Sequence, residues 1–256
     1  YVLLRIYAKS TYEDGEAHYI SDTDFDLTGD RYVLYSNPSV VEPDPQLDAE
    51  LFKDGETEGW AAFQAASGEG NLILVFDELM NFDDDRLRYI AVDEGASVSI
   101  PQDLANIEPN DLGLDRNNPA PFGETVVADD WELQVLEVVR GDDAWTMVQE
   151  VNQFNDPPEE GMEYIAVRVR ARNIGSSDES EWVDGTWFET TGDSNVIHDF
   201  PSVVDPEPSL DHRLFPGGEA EGWVVVQAEV GEESVMLIFE HLFDFSDDNT
   251  RYLLLQ

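Results

Sequence analysis

Laid over itself at an offset of 163 residues, the chain matches without a gap: residues 1–92 fall on 164–255, and 37 of the 92 pairs are identical. The identities come in blocks. Thr28-Gly29-Asp30 meets Thr191-Gly192-Asp193, Pro38-Ser39-Val40-Val41 meets Pro201-Ser202-Val203-Val204, Glu58-Gly59-Trp60 meets Glu221-Gly222-Trp223, and Arg88-Tyr89 meets Arg251-Tyr252. Self-similarity on this scale reads as a tandem duplication of one folding unit. The expected organisation is a first repeat over 1–92, an acidic linker over 93–117 and a second repeat over 118–256. The linker is rich in Asp, Asn and Pro, with one candidate short strand at 96–100 before Pro101. The second repeat also carries 46 residues, 118–163, with no counterpart before Tyr1.

Within each repeat the period of two dominates. Val2, Leu4, Ile6 and Ala8 alternate with Leu3, Arg5, Tyr7 and Lys9, and Ile165, Val167, Val169 and Ala171 repeat the pattern. Further strands are expected at 60–64, 72–76 and 89–92 and at their partners 223–227, 235–239 and 252–255. In the extra segment Trp131, Leu133 and Val135 alternate with polar residues until the phase slips at Leu136, which predicts a bulge. Trp145, Val148 and Val151 fit a short helix over 142–154. Short strands, Pro- and Gly-rich connectors and no βαβ rhythm predict two tandem all-β antiparallel sandwiches, the first lacking its leading strands.

Composition then narrows the partners. Fifty-seven acidic side chains against 13 basic ones give a formal net charge of −44, and only Lys9 and Lys53 are lysines. No cluster of cations exists to displace counterions from a phosphate backbone, which excludes nucleic acid. No stretch is long and apolar enough for a membrane span. Thirteen Phe, nine Tyr and six Trp provide cores that a disordered acidic chain would not have. Without Cys, disulfides and thiolate chemistry are excluded. The acidity suits high salt, or a dispersed surface that takes up divalent cations.

The second repeat reads, in order, Asn118-Pro119-Ala120-Pro121-Phe122-Gly123-Glu124, a Trp-led strand, Pro157-Pro158-Glu159-Glu160-Gly161-Met162-Glu163-Tyr164, Arg172-Asn173-Ile174-Gly175 and Gly218-Glu219-Ala220-Glu221-Gly222-Trp223. This resembles the telokin-like, immunoglobulin-like extracellular domain family of bacterial secreted proteins and lipoproteins. The resemblance spans 118–256 and, without its first strands, 1–92. It implies a β-sandwich and export to an extracellular or cell-surface location, and it carries no catalytic set.

An enzyme is not expected. The four histidines, His18, His198, His212 and His241, face Glu181, Tyr35, Ala49 and Glu78 in the other repeat, so no candidate base is held in both. There is no G-x-S-x-G elbow, H-E-x-x-H pair or phosphate loop. No cofactor is required, but calcium is the sharper candidate, since hard cations take oxygen ligands. The paired turns Asp83-Asp84-Asp85 and Asp247-Asp248-Asn249 are one candidate site; Asp22, Asp24 and Asp26, placed on one side of an extended segment, are the other. Tyr19 and Trp182 share a position in a polar stretch and are candidates for ligand contact, carbohydrate included.

The first repeat raises a separate question. Without leading strands, the strand bearing Val2, Leu4, Ile6 and Ala8 keeps an unpaired edge. Three readings follow: the chain is a piece of a longer protein, segment 96–100 folds back to cover the edge, or a neighbouring chain donates a strand. The last makes the protein a structural or adhesive surface subunit, its partners being copies of itself or other surface proteins. The alternative is a secreted module that recognises carbohydrate or protein through its loops.

Overall fold

The computed structural model describes residues 1–77, 87–97, 99–240 and 249–256. The chain forms two compact units, Tyr1–Ser99 and Ile100–Gln256. The boundary falls inside the stretch read as a linker, and Leu104, in a short 3-10 turn, is buried within the second unit. The strand expected at 96–100 is absent among its described residues. Instead Ser97 N–H donates to Asn71 Oδ1 (3.1 Å) and Asn71 Nδ2 to Ser97 O (3.1 Å), a side-chain clasp that uses the backbone groups a strand would need. Among the described residues, segment 96–100 therefore adds no strand to the first repeat's leading strand.

The first unit contains β1 (Val2–Lys9), β2 (His18–Ser21), β3 (Phe25–Thr28), β4 (Val33–Leu34), β5 (Asp48–Leu51), β6 (Glu56–Phe63), β7 (Ile73–Phe76) and β8 (Arg88–Ala91). Its ladders are antiparallel where β1 pairs with β6, β2 with β5, β3 with β7 and β7 with β8. Phe25, Leu27, Leu47, Ala61, Phe63 and Leu74 form the core between the β1-β6 and β3-β7-β8 sheets. The alternation in β1 does what a period of two dictates: Val2, Leu4 and Ile6 turn to this core while Arg5 and Lys9 face out.

The second unit contains β9 (Thr125–Ala128), β10 (Trp131–Arg140), α1 (Asp142–Val151), β11 (Met162–Asn173), β12 (Glu181–Val183), β13 (Phe188–Thr191), β14 (Ile197–His198), β15 (His212–Leu214), β16 (Glu219–Glu229), β17 (Met236–Phe239) and β18 (Arg251–Leu254). One sheet runs β16-β11-β10-β9 and another β14-β13-β17-β18. The bulge predicted at Leu136 is present as a register shift between Val135 and Glu137. Trp131 of the first sheet meets Trp187 edge-on (5.2 Å), and Trp187 meets Phe239 of the second (5.9 Å). Helix α1 covers the outer side of the β11-β16 pair, packing Ala144 and Val148 against Tyr164, Ala166 and Trp223.

The recurrent Glu-Gly-Trp block has a steric explanation in each unit. Trp60 N–H donates to Pro45 O (2.8 Å) and Leu47 N–H to Trp60 O (3.1 Å); Trp223 N–H donates to Pro208 O (2.8 Å) and Leu210 N–H to Trp223 O (3.1 Å). A connector thus runs directly over the strand at Gly59 and at Gly222. A Cβ at Gly59 would overlap the backbone of Gln46 and Leu47, and one at Gly222 that of Ser209 and Leu210. The prolines at these crossings follow cis peptide bonds, Asp44-Pro45 and Glu207-Pro208.

Candidate functional site

The site lies along β1. Its register with β6 runs from Val2 opposite Phe63 to Lys9 opposite Glu56, and Arg5 reaches Glu58 at 2.8 Å. Among the described residues no strand pairs with its other edge, whereas β11 of the second unit lies between β10 and β16. Burial records the difference. Val2, Leu4, Ile6 and Ala8 are half-buried, while the residues 163 further on, Ile165, Val167, Val169 and Ala171, are at most 1% exposed. The opposite face is barer still. Tyr1 and Leu3 are 77% and 49% exposed, and Trp60 is half-buried, where Tyr164, Ala166 and Trp223 lie beneath α1.

At the Lys9 end of β1 a cleft of about 400 Å³ opens. Ala8, Ile20, Leu51 and Phe76 form its apolar lining, all half-buried. Lys9, His18 and Arg88 bring three cationic or protonatable groups to it. Tyr12 stacks on the His18 ring (3.7 Å, 10°), and His18 Nε2 contacts Asp14 Oδ2 at 2.7 Å. The Glu16 N–H, then His18, hold the Asp14 carboxyl below its usual range. Ser10 also lines the cleft, its hydroxyl buried and without a hydrogen-bond partner.

The equivalent place in the second unit is filled. Val183, Leu214 and Phe239 are buried there, and Trp187 stands where the first unit has Asp24. Trp131 of β10, opposite Asn173, packs on Trp187. Arg251, the counterpart of Arg88, is 3% exposed and donates through Nη2 to the carbonyls of Asn110 (3.1 Å) and Val127 (3.1 Å), the latter on β9. Sequence reasoning pointed to the β1 edge and did not anticipate this cleft. Its signal was the pair Asp24 and Trp187, a large change of size within an otherwise matched repeat.

The acidic candidates divide. Asp83, Asp84, Asp85, Asp247 and Asp248 lie outside the described residues; Asn249 is described and falls in a bend. Asp22, Asp24 and Asp26 do not share an extended segment. Asp22–Asp24 is a 3-10 turn, in which Ser21 N–H donates to Asp24 Oδ2 (2.8 Å) and Thr23 N–H to Ser21 Oγ (3.3 Å), while Asp26 follows on β3. This capping box turns the buried Asp24 carboxylate inward to the backbone. Burial and the neighbouring Glu42 raise the Asp22 carboxyl. Among the described residues no three Asp, Glu or His side chains are placed to hold a metal ion. Tyr19 and Trp182 are both exposed, and the Arg213 guanidinium lies 5.8 Å from the Trp182 ring centre.

One acid in the second unit sets a pH response. Burial, with the charges of Asp184 and Asp211, pushes the Asp205 carboxyl up to about 6 against the lowering effect of the Val225 N–H, which donates to it at 2.8 Å. A raised folded-state value means that the folded protein holds this proton more tightly than the unfolded chain. The resulting stability is therefore full below about 4 and is lost as pH rises through 6, by on the order of 2–3 kcal/mol. Asp205→Asn keeps the acceptor and removes the charge. It is expected to flatten this part of the pH–stability curve and to raise the midpoint of urea unfolding at pH 7.

Together these features define an all-β protein of antiparallel sheets with one incompletely covered strand. The chain belongs to the domain family of unknown function DUF4352, whose family model matches residues 120–250. No curated protein matches it. Two solved structures from Bacillus subtilis are similar. The first is YcdA, described as a candidate lipoprotein, at 12% identity and a TM-score of 0.37, covering 50% of this chain and 37% of its own. The second is the YjhA protein, at 16% identity and a TM-score of 0.36, covering 53% of this chain and 98% of its own. The chain thus spans little more than a third of YcdA.

Proposed function

We propose that this is an exported, non-catalytic protein of the cell surface, built from two copies of an immunoglobulin-like domain, that acts as a structural or adhesive subunit. The observation that carries the reading is β1: one edge without a strand partner among the described residues, and a core-facing row left half-buried where its counterpart is closed. Such an edge accepts an added strand through main-chain hydrogen bonds, and burial of the row beneath it supplies the driving force. Cross-strand ion pairs on β1 and β11 (Arg5 with Glu58, Arg168 with Glu221) set out the charge pattern that an incoming strand meets. Light scattering across a salt and calcium series, with electron microscopy of the same samples, tests this. Regular assemblies, lost when Ile6 is replaced by Lys, would support self-assembly through β1; a monomer under every condition overturns self-assembly and leaves the edge to a strand from another surface protein.

A further inference from the structure

The strand-acceptor reading leaves open what the β1 edge selects, and the second unit supplies a template. There β10 lies on β11 with Trp131 opposite Asn173, Leu133 opposite Ala171 and Val135 opposite Val169. Glu132 faces Arg172, with the carboxylate 3.3 Å from its guanidinium, and Glu137 faces Arg168. The first unit offers the same acceptor positions: Ser10, Ala8 and Ile6 for the inward residues, Lys9 and Arg5 for the acids. The cleft opens beside Ser10, where the template places its Trp, and Arg88 stands where Arg251 grips the carbonyl of the next strand.

Resting on the acceptor reading, we infer that the cleft beside Ser10 is an anchor pocket for an aromatic side chain on an extended acidic segment of a partner surface protein. The segment runs antiparallel to β1. Its aromatic residue enters among Ala8, Ile20, Leu51 and Phe76, alternate apolar residues cover Ala8 and Ile6, and acidic residues between them meet Lys9 and Arg5. Arg88 donates to main-chain carbonyls beyond the aromatic. The β10 of a second copy is not the donor, because it is already paired on both edges, with β9 and β11. Charge also favours the assignment. Lys9 and Arg88 line the cleft and Arg5 lies midway along β1; Lys9 also meets Asp54 and Glu56, and Arg5 meets Glu58, as Arg168 of the template meets Glu221 while facing Glu137.

The probe is a labelled synthetic peptide of residues 125–141, which includes the Val127 carbonyl gripped by Arg251 in the template, with and without the change Trp131→Ala, added to the full chain at about 1 M salt, where charges beyond about 3 Å are screened. Anisotropy measures affinity, and hydrogen exchange of the β1 amides facing away from β6 reports the place of binding. The native-sequence peptide should bind and protect those amides. The Trp131→Ala peptide should bind about thirtyfold more weakly, the loss typical of a buried aromatic anchor. Arg88→Gln in the full chain should weaken the native-sequence peptide several-fold. Equal binding of the two peptides overturns the anchor pocket while leaving strand addition standing. Binding by neither, with β1 still exchanging, overturns both. Protection of β1 in the chain alone, rising with its concentration, overturns the external donor in favour of self-pairing.

Discussion

Gly222→Ala should be among the most damaging single substitutions in this chain, costing about 3 kcal/mol or more of second-unit stability. The residue is buried in β16, and an added Cβ would overlap the backbone of Ser209 and Leu210. Backbone cannot swing aside as a flexible side chain can. To admit the methyl, the connector must lift off and give up the hydrogen bonds from Trp223 N–H to Pro208 O and from Leu210 N–H to Trp223 O. Against a domain stability of about 5–15 kcal/mol, that is a large fraction. Gly59→Ala should act likewise in the first unit, where Gln46 and Leu47 lie equally close. Gly70→Ala, whose new methyl would meet Asp30 Oδ2 at 3.4 Å and nothing nearer, is the control and should change stability by less than about 1 kcal/mol. Urea unfolding followed by tryptophan fluorescence separates these cases.

Trp131→Ala is the second large effect, expected to destabilise the second unit by about 3–5 kcal/mol. Its side chain is 1% exposed, wedged edge-on against Trp187 between the two sheets, so truncation leaves a hole that the neighbouring rings cannot collapse into. Trp131→Phe should cost far less, since the indole N–H has no hydrogen-bond partner to lose and part of the ring volume remains. Differential scanning calorimetry of the two variants gives the ranking. The hole opened by Trp131→Ala would reproduce in the second unit the vacancy already present in the first, so this variant also gauges what an aromatic anchor contributes to such a site.

The elements visible in the sequence were those whose side chains repeat regularly. β1 and β11 announced themselves by alternation, β10 by its Trp-led row, and the bulge by the break of phase at Leu136. β5, with Asp48-Ala-Glu-Leu51, passed unseen because four residues on a half-exposed edge carry no period. The turn at Asp22–Asp24 defeated the expectation of an extended carboxylate row because Ser21 and Asp24 satisfy each other's backbone, a local hydrogen-bond preference that hydrophobic spacing does not reveal. The exposure of Tyr19 and Trp182 followed from the polar residues around them. The cleft was hidden for a different reason. It arises from what is missing beside β1 and from a small residue at position 24, and a void leaves no pattern of its own.

The unpartnered edge of β1 belongs to a molecule carrying 44 excess negative charges, and in colloidal terms it is a short-range sticky strip inside a long-range repulsive shell. In dilute salt near 0.01 M the shell reaches about 30 Å, farther than any strand-to-strand contact; near 1 M it shrinks to about 3 Å. Collisions that end in electrostatic rebound in the first medium reach contact in the second. If the strip accepts a strand as proposed, the ionic strength of the surroundings sets how long it stays bare. On the strand-acceptor reading, the same protein moved from fresh water to brine is expected to associate more readily through that strand.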